Sequence, residues 1–138
     1  MSVYYSGPAM SLPAAAWQEV ADYLRRNSDG VTLGTVQEGG PHLTMMGLLQ
    51  GAGLDELYMQ TTRSSQKVKN LLAYPTAEIA VSDKQGYVIL TCTAEVLDDA
   101  ERKATKWEEW MAQYHPQGPS APDYVLLRFV PQSVRAMF

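Results

Sequence analysis

The sequence predicts a mainly β protein with a few helices, in which an antiparallel sheet curls into a small barrel. Most of its apolar runs are short and rich in β-branched or aromatic residues, as strands are. The turns between consecutive runs are too short for the crossovers that parallel strands need, so the pairing should be antiparallel. With 138 residues, 46% of them hydrophobic and 19% charged, the chain has the size and balance of one globular domain over residues 1–138.

The N-terminal half predicts a helix, a hairpin and one further strand. Proline suits the first helical position and apolar residues then recur at intervals of three and four, which indicates a helix over about Pro13–Arg26. Its expected core stripe consists of Trp17, Val20, Ala21 and Leu24. The runs 31–37 and 41–50 flank a pair of glycines and should form the hairpin. A turn at Gly51, Gly53 and Asp55 then leads into the short strand Leu57–Met59.

A short helix should follow, beginning near Ser65. Val68, Leu71 and Leu72 fall on one face at helical spacing, and Pro75 ends the helix. We therefore expect these three apolar side chains to face the core.

The C-terminal half predicts three more strands. A strand over 77–83 turns at 84–86 into the strand 86–98, whose unbroken apolar centre indicates burial on both faces. A loop over 115–122, rich in proline and glycine, should lead into a last strand over 124–130 that Pro131 closes.

A second long helix is expected between these strands, from Asp98 to about Gln113. Asp98 or Asp99 would cap it, because aspartate favours that position. Its apolar stripe consists of Ala100, Ala104, Trp107 and Met111, with Trp110 lying off that stripe.

The run from Leu57 to Pro75, LYMQTTRSSQKVKNLLAYP, indicates an anion site. The first turn of a helix exposes backbone N–H groups without internal partners, so hydroxyls and a lysine placed there can hold a phosphate. Lys67 lies where a cation opposes the helix dipole, and Arg63 lies just ahead of it, which favours an incoming anion. The alternative is that Ser65 simply caps the helix and that the cations are solvated.

The chain resembles the FMN-binding split-barrel proteins related to pyridoxamine 5'-phosphate oxidase, and most of all their short members, the general stress proteins. The resemblance rests on four segments that together cover nearly the whole chain. They are GTVQEGGPHLTMM, LYMQTTRSSQKVKNLLAYPTAEIAV, GYVILTCTAEVLDD and KWEEWMAQYHPQGPSAPDYVLLRFVP. The second segment is the most specific of them.

The resemblance implies an antiparallel split β-barrel that forms a homodimer, with FMN or a related flavin held at the interface between the subunits. The implied function is an FMN-dependent oxidoreductase that acts on a small molecule or on a nicotinamide. Two alternatives follow from the same family: a non-catalytic FMN-binding protein that stores the cofactor or senses redox state, and a deazaflavin-dependent reductase. Haem is disfavoured because the only candidate axial ligands are the two histidines.

The resemblance also implies which residues hold the phosphate. Lys67, Ser65 and Gln66 take the phosphate positions. The oxidase usually has a second basic residue where this chain has Gln66, so the phosphate would be held more weakly here, or Arg63 would complete the phosphate site. Thr61 and Thr62 would lie along the ribityl chain and ring.

On the hairpin, the strand His42–Met45 corresponds to the strand whose backbone borders the flavin. Its members are His42, Leu43, Thr44 and Met45. His42 takes a place often held by arginine and is a candidate phosphate donor, although it could equally be an ordinary strand residue. Trp110, an aromatic residue outside the predicted core, is a candidate contact for the cofactor ring or for a dimer partner, or else a half-exposed packing residue.

Composition disfavours several other classes of function. A formal charge of −4 with scattered cations provides no basic stripe for a nucleic acid. No apolar run has membrane-spanning length, so we expect a soluble, cytoplasmic protein. His115 has no companion ligands at metal spacing, and no triad context stands out. Cys92, the single cysteine, should pack as a small hydrophobic residue.

Overall fold

The structure, a computed structural model, describes residues 4–49, 54 and 57–138. The predicted turn at Gly51, Gly53 and Asp55 therefore lies outside the described residues. The strands are β1 (Tyr4–Pro8), β2 (Val31–Gln37), β3 (Gly40–Met46), β4 (Leu57–Thr62), β5 (Thr76–Asp83), β6 (Gly86–Leu97) and β7 (Tyr124–Met137). The α-helices are α1 (Ala14–Arg26), α2 (Gln66–Ala73) and α3 (Ala100–Thr105), with short 3₁₀ turns at Ala9–Ser11 and Glu109–Gln113. The strand pairs are antiparallel, so the predicted fold class is confirmed.

The last strand, β7, organises the sheet. The strand order is β1, β7, β6, β5, β2, β3, and β4 also pairs with β7. One edge of β7 pairs with β6, while the other pairs first with β4 and then, beyond Pro131, with the unpredicted strand β1. The prediction that Pro131 closes the strand is wrong. The β6–β7 ladder shifts register between Thr91 and Cys92, and Cys92 lies opposite Pro131. Because a β-bulge interrupts the regular hydrogen bonds there, the strand can accommodate Pro131, which has no N–H to donate.

The predicted burial of β6 on both faces is also wrong. Val88, Leu90, Cys92 and Ala94 are buried, whereas the alternate residues such as Ile89 are only partly covered. One face of β6 joins the core, and the other contributes to an outer apolar groove described below. Cys92 packs in the core as predicted, where burial raises the pKa of its thiol to about 12.

The main core lies between the inner face of the sheet and the helices α1 and α2. In α1, Val20 and Leu24 are buried, while Trp17 and Ala21 pack partly exposed against the core. In α2, Val68 and Leu71 face the core, but Leu72 is 71% exposed, which contradicts the prediction. The reason is Asn70, which is buried and donates to Thr35 Oγ1 at 3.0 Å, so that the helix is rotated toward β2 and Leu72 lies outside.

The predicted single helix Asp98–Gln113 is divided into two parts. Asp99 caps α3 by accepting from the Arg102 N–H, as one of the two predicted caps, but α3 ends at Thr105. Met111 is fully buried in a second, smaller core cluster with Tyr58, Tyr124 and Leu126. Trp107 packs edge-to-face on Tyr124 with ring centroids 5.5 Å apart. The chain is not helical between α3 and the 3₁₀ turn, and both Trp107 and Met111 pack in that second cluster.

Candidate functional site

A cleft of about 580 Å³ opens where β4 meets α2. Its size lies in the range of small-molecule and cofactor sites. The end of β4 and the first turn of α2 contribute Gln60, Thr61, Thr62 and Lys67. Residues 45–48 at the end of β3, together with Asp29 and Gly30, form a second wall. Glu108, Trp110 and Tyr114 form the third wall. Five residues predicted for the site, Met45, Thr61, Thr62, Lys67 and Trp110, thus line one cleft.

The N-terminus of α2 carries no side-chain cap. Ser65 stands at the N-cap position, but its hydroxyl makes no hydrogen bond to the first turn and lies instead 3.4 Å from Thr61 Oγ1. Lys67 Nζ donates to the same Thr61 oxygen at 3.3 Å. Two hydroxyls and an ammonium therefore converge beside the uncapped N–H groups, which is a donor set suited to an anion.

Among the described residues that line the cleft, Lys67 is the cation. Burial lowers the pKa of its ammonium below the ordinary lysine value, because the charge is partly removed from water. Among the described residues no carboxylate lies within salt-bridge distance of its Nζ, and its polar partner is the neutral Thr61 hydroxyl. An anion bound here would supply the missing countercharge.

Two of the other predicted phosphate residues have partners elsewhere. The Arg63 guanidinium donates to Asp98 Oδ2 at 2.6 Å and to the Pro122 carbonyl at 2.8 and 3.0 Å, so it ties the end of β4 to the segments around α3 and before β7. Gln66 Nε2 donates along the helix to Asn70 Oδ1 at 2.8 Å. Neither side chain lines the cleft.

The strand β3 divides its predicted residues between two faces. His42 pairs in register with Thr35, the residue that α2 reaches through Asn70, so His42 and Thr44 lie on the helix side of the sheet. His42 Nδ1 and Thr44 Oγ1 are buried without a hydrogen-bond partner. Buried polar atoms are nearly always paired, so these two are candidates for contact with a bound group. Leu43, on the opposite face, is 68% exposed and lines the outer groove.

Trp110 lies at the mouth of the cleft. It is 42% exposed, its Nε1 donates to Glu108 Oε1 at 2.6 Å, and Tyr114 packs edge-to-face against it at 6.2 Å. The Glu108 carboxylate and the Tyr114 ring hold the indole in place where it lines the cleft. This position is compatible with contact to a flat ligand.

Sequence analysis missed Gln60, Glu108 and Tyr114 as cleft residues. Gln60 directly precedes the two predicted threonines, and a polar residue at that point of a strand was the available signal. Glu108 and Tyr114 reach the cleft only because the expected helix is interrupted after α3, which no local signal predicts.

The described residues hold no cluster of three or more His, Cys, Asp or Glu side chains that could bind a metal ion. In the same residues, no helix is long and apolar enough to cross a membrane.

The sequence profile of the pyridoxamine 5'-phosphate oxidase family matches residues 16–138. The chain belongs to this family. A comparison with curated proteins finds no significant match. The fold is shared with several solved structures.

A protein from Clostridium acetobutylicum related to general stress protein 26 superposes with a TM-score of 0.78 at 24% identity, over 88% of this chain and 92% of that one. A pyridoxamine 5'-phosphate oxidase-related FMN-binding protein from Nostoc punctiforme has a TM-score of 0.72 at 19% identity, over 93% and 85% of the two chains. A protein described as an F420 reductase has a TM-score of 0.63 at 20% identity, over 83% and 94%. At these identities, the likenesses establish the fold.

Proposed function

We propose that this pyridoxamine 5'-phosphate oxidase family member is a single domain that binds FMN in the cleft and acts as an oxidoreductase on a small molecule. The observation that carries the proposal is the partly buried ammonium of Lys67, without a carboxylate partner among the described residues, beside the uncapped N-terminus of α2. A monoester phosphate supplies the charge and the acceptors that this arrangement is missing.

The remaining cleft residues have the chemistry that the rest of FMN requires. Thr61 and Thr62 offer hydroxyls next to the anion site, where a polyhydroxylated chain would bind. His42 and Thr44 are not among the residues that line the cleft, but on the helix side of the neighbouring strand β3 they carry buried polar atoms without a partner among the described residues. Trp110 and the methionines at the end of β3 provide the apolar surface that a flat ring needs.

In this proposal the protein binds and orients, and the cofactor supplies the redox chemistry. Bound FMN provides hydride or single-electron transfer between a reductant, such as a nicotinamide, and an acceptor. The chain's own task is then to anchor the phosphate at Lys67, to hold the ring and to leave one ring face accessible. The redox step itself then requires no acid and base pair from the protein.

The visible spectrum of the purified protein tests this proposal. FMN is added and the protein is titrated with NADH or NADPH without oxygen. Bleaching of bound flavin supports the oxidoreductase. A yellow protein that neither reductant bleaches favours the non-catalytic alternative. A preference for a deazaflavin, seen as a different absorption band, changes the cofactor while keeping the cleft. A colourless protein that takes up neither cofactor contradicts the proposal.

We further propose that the protein is a homodimer that pairs through the outer face of the sheet. An apolar groove of about 490 Å³ crosses this face, lined by Val36, Leu43, Ala80 and Ile89 among others. Leu43 and Met45 are 68% and 70% exposed, and β3 is an edge strand. Covering such a patch with a second copy removes apolar surface from water. Since Met45 also lines the cleft, the interface would border the cofactor.

A further inference from the structure

His115 is a buried histidine that the proposed flavin site does not use. Its side chain is fully buried, and its Nε2 lies 2.8 Å from Gln60 Oε1. On the other side of the ring, Nδ1 lies 3.3 Å from Asp123 Oδ1. The Tyr124 ring packs against it with centroids 5.1 Å apart. Both nitrogens therefore have polar partners, and the imidazole cannot turn without losing them.

The contact with His115 fixes the amide group of Gln60. The hydrogen bond with Nε2 of His115 engages one end of the Gln60 carboxamide. Because Gln60 itself lines the cleft, and its side chain has no other hydrogen-bond partner among the described residues, the other end of the amide is left for a ligand.

The position of Gln60 along β4 makes this contact relevant to ligand binding. Gln60 is partly exposed and directly precedes Thr61, the residue that Lys67 and Ser65 both contact. The amide therefore lies one residue from the anion site. Gln60 therefore both contacts the buried His115 and lines the cleft.

We infer that Gln60 is a ligand-contacting residue whose unengaged amide end hydrogen-bonds to the polar edge of a flat heterocyclic ring. His115, held by Asp123, is the positioning residue that orients the amide. The inference rests on the proposed function, since it requires that a flavin-type ring enter the cleft. The ligand chemistry it specifies is a flat ring with hydrogen-bonding groups along one edge.

Riboflavin and FMN separate this inference from the proposed function, because they share the ring and differ in the phosphate. Gln60→Met, which keeps the side-chain volume, should weaken both ligands by the same factor, roughly three- to tenfold. Lys67→Ala should weaken FMN alone. Gln113→Met, the same change at an exposed position away from the cleft, is the matched control and should leave both affinities unchanged.

The outcomes are distinguishable. If wild-type protein binds neither FMN nor riboflavin, the proposed function fails. If wild-type protein binds FMN and Lys67→Ala weakens it, but Gln60→Met leaves riboflavin affinity at the wild-type value, the proposed function stands and this inference is wrong.

A double-mutant cycle tests the positioning role of His115. His115→Leu should weaken riboflavin as much as Gln60→Met does, and the double variant should be no worse than either single one, because His115 acts through Gln60. A purely structural histidine would give additive losses. Urea unfolding checks that each variant folds.

If His115→Leu does not fold, Asp123→Asn, at a half-exposed carboxylate, loosens the ring more gently. In ¹⁵N-labelled protein the Gln60 side-chain amide signals should shift on riboflavin binding, and Asp123→Asn should broaden them. Gln60 signals that do not respond to riboflavin overturn the inference.

Discussion

Replacing Lys67 by alanine should weaken FMN far more than riboflavin. The ammonium is partly buried, which lowers its pKa, and it donates to the neutral Thr61 hydroxyl at 3.3 Å, so a bound phosphate would be its anionic partner. Loss of one charge-assisted hydrogen bond to a phosphate costs about 1.5–3 kcal/mol, which is roughly a 10- to 150-fold rise in the FMN Kd. Quenching of flavin fluorescence during titration measures both affinities.

Folding should not suffer in the same variant. A cation in the first turn of a helix opposes the helix dipole by about 0.3–1 kcal/mol, so the ligand-free Lys67→Ala protein should melt at or slightly above the wild-type temperature. Lys69→Ala removes an equal charge from the exposed side of α2 and is the matched control. Equal FMN affinity in the two variants would show that the phosphate binds elsewhere and would refute the reasoning.

Three further predictions concern stability and assembly. Asp98→Ala removes the partner of the buried Lys103 ammonium, 3.0 Å away, and should lower the unfolding free energy by about 1–3 kcal/mol in urea titrations. Hydrogen bonds from Lys103 and Arg63 hold the pKa of Asp98 below its ordinary value. The stability that Asp98 contributes is therefore present at neutral pH and is lost as pH falls through that lowered pKa. In Asp98→Ala, this part of the acid dependence of the unfolding free energy should be missing. Leu43→Lys should convert a dimer to a monomer in light scattering, whereas the equally exposed Leu72→Lys, outside the outer groove, should not. Met111→Ala, in the second core cluster, should cost about 2–5 kcal/mol, and a loss under 1 kcal/mol would contradict its assigned burial.

The sequence predicts those parts of the fold that local pattern determines. The β2–β3 hairpin and α2 depend on turn glycines, strand-forming runs and helical spacing, and the structure confirms both, although β3 ends at Met46 and not at the predicted residue 50. The strand β1 has no such pattern, since its five residues include Gly7 and Pro8, and it is a strand because β7 offers it an edge. Pro131 illustrates the opposite error, in which a local rule for ending strands is overridden by a bulge.

In the candidate site, too, local contacts could be predicted from the sequence and long-range contacts could not. Thr61, Ser65 and Lys67 are close in sequence, and the strand-to-helix step alone brings them together. Arg63 lies among them in sequence, but its guanidinium pairs with Asp98, which is close to it only in the folded chain. Gln60 contacts His115, which is 55 residues away in the sequence. Sequence analysis considered His115 only as a metal or haem ligand or as a triad member.

The burial of Lys67 also predicts how FMN binding depends on pH. Only the ammonium form attracts a phosphate, and a bound anion raises the pKa that burial lowers in the free protein. FMN affinity should therefore fall as pH rises through the lowered pKa of Lys67, with riboflavin reporting any pH effect that the ring and the fold share. Lys67→Arg keeps its charge because a guanidinium has a pKa above about 12, so its FMN affinity should stay level over the same range. If wild-type protein and Lys67→Arg show the same alkaline profile, Lys67 does not hold the phosphate, and the anion site must be sought at His42 and Thr44, where the buried unpaired atoms lie.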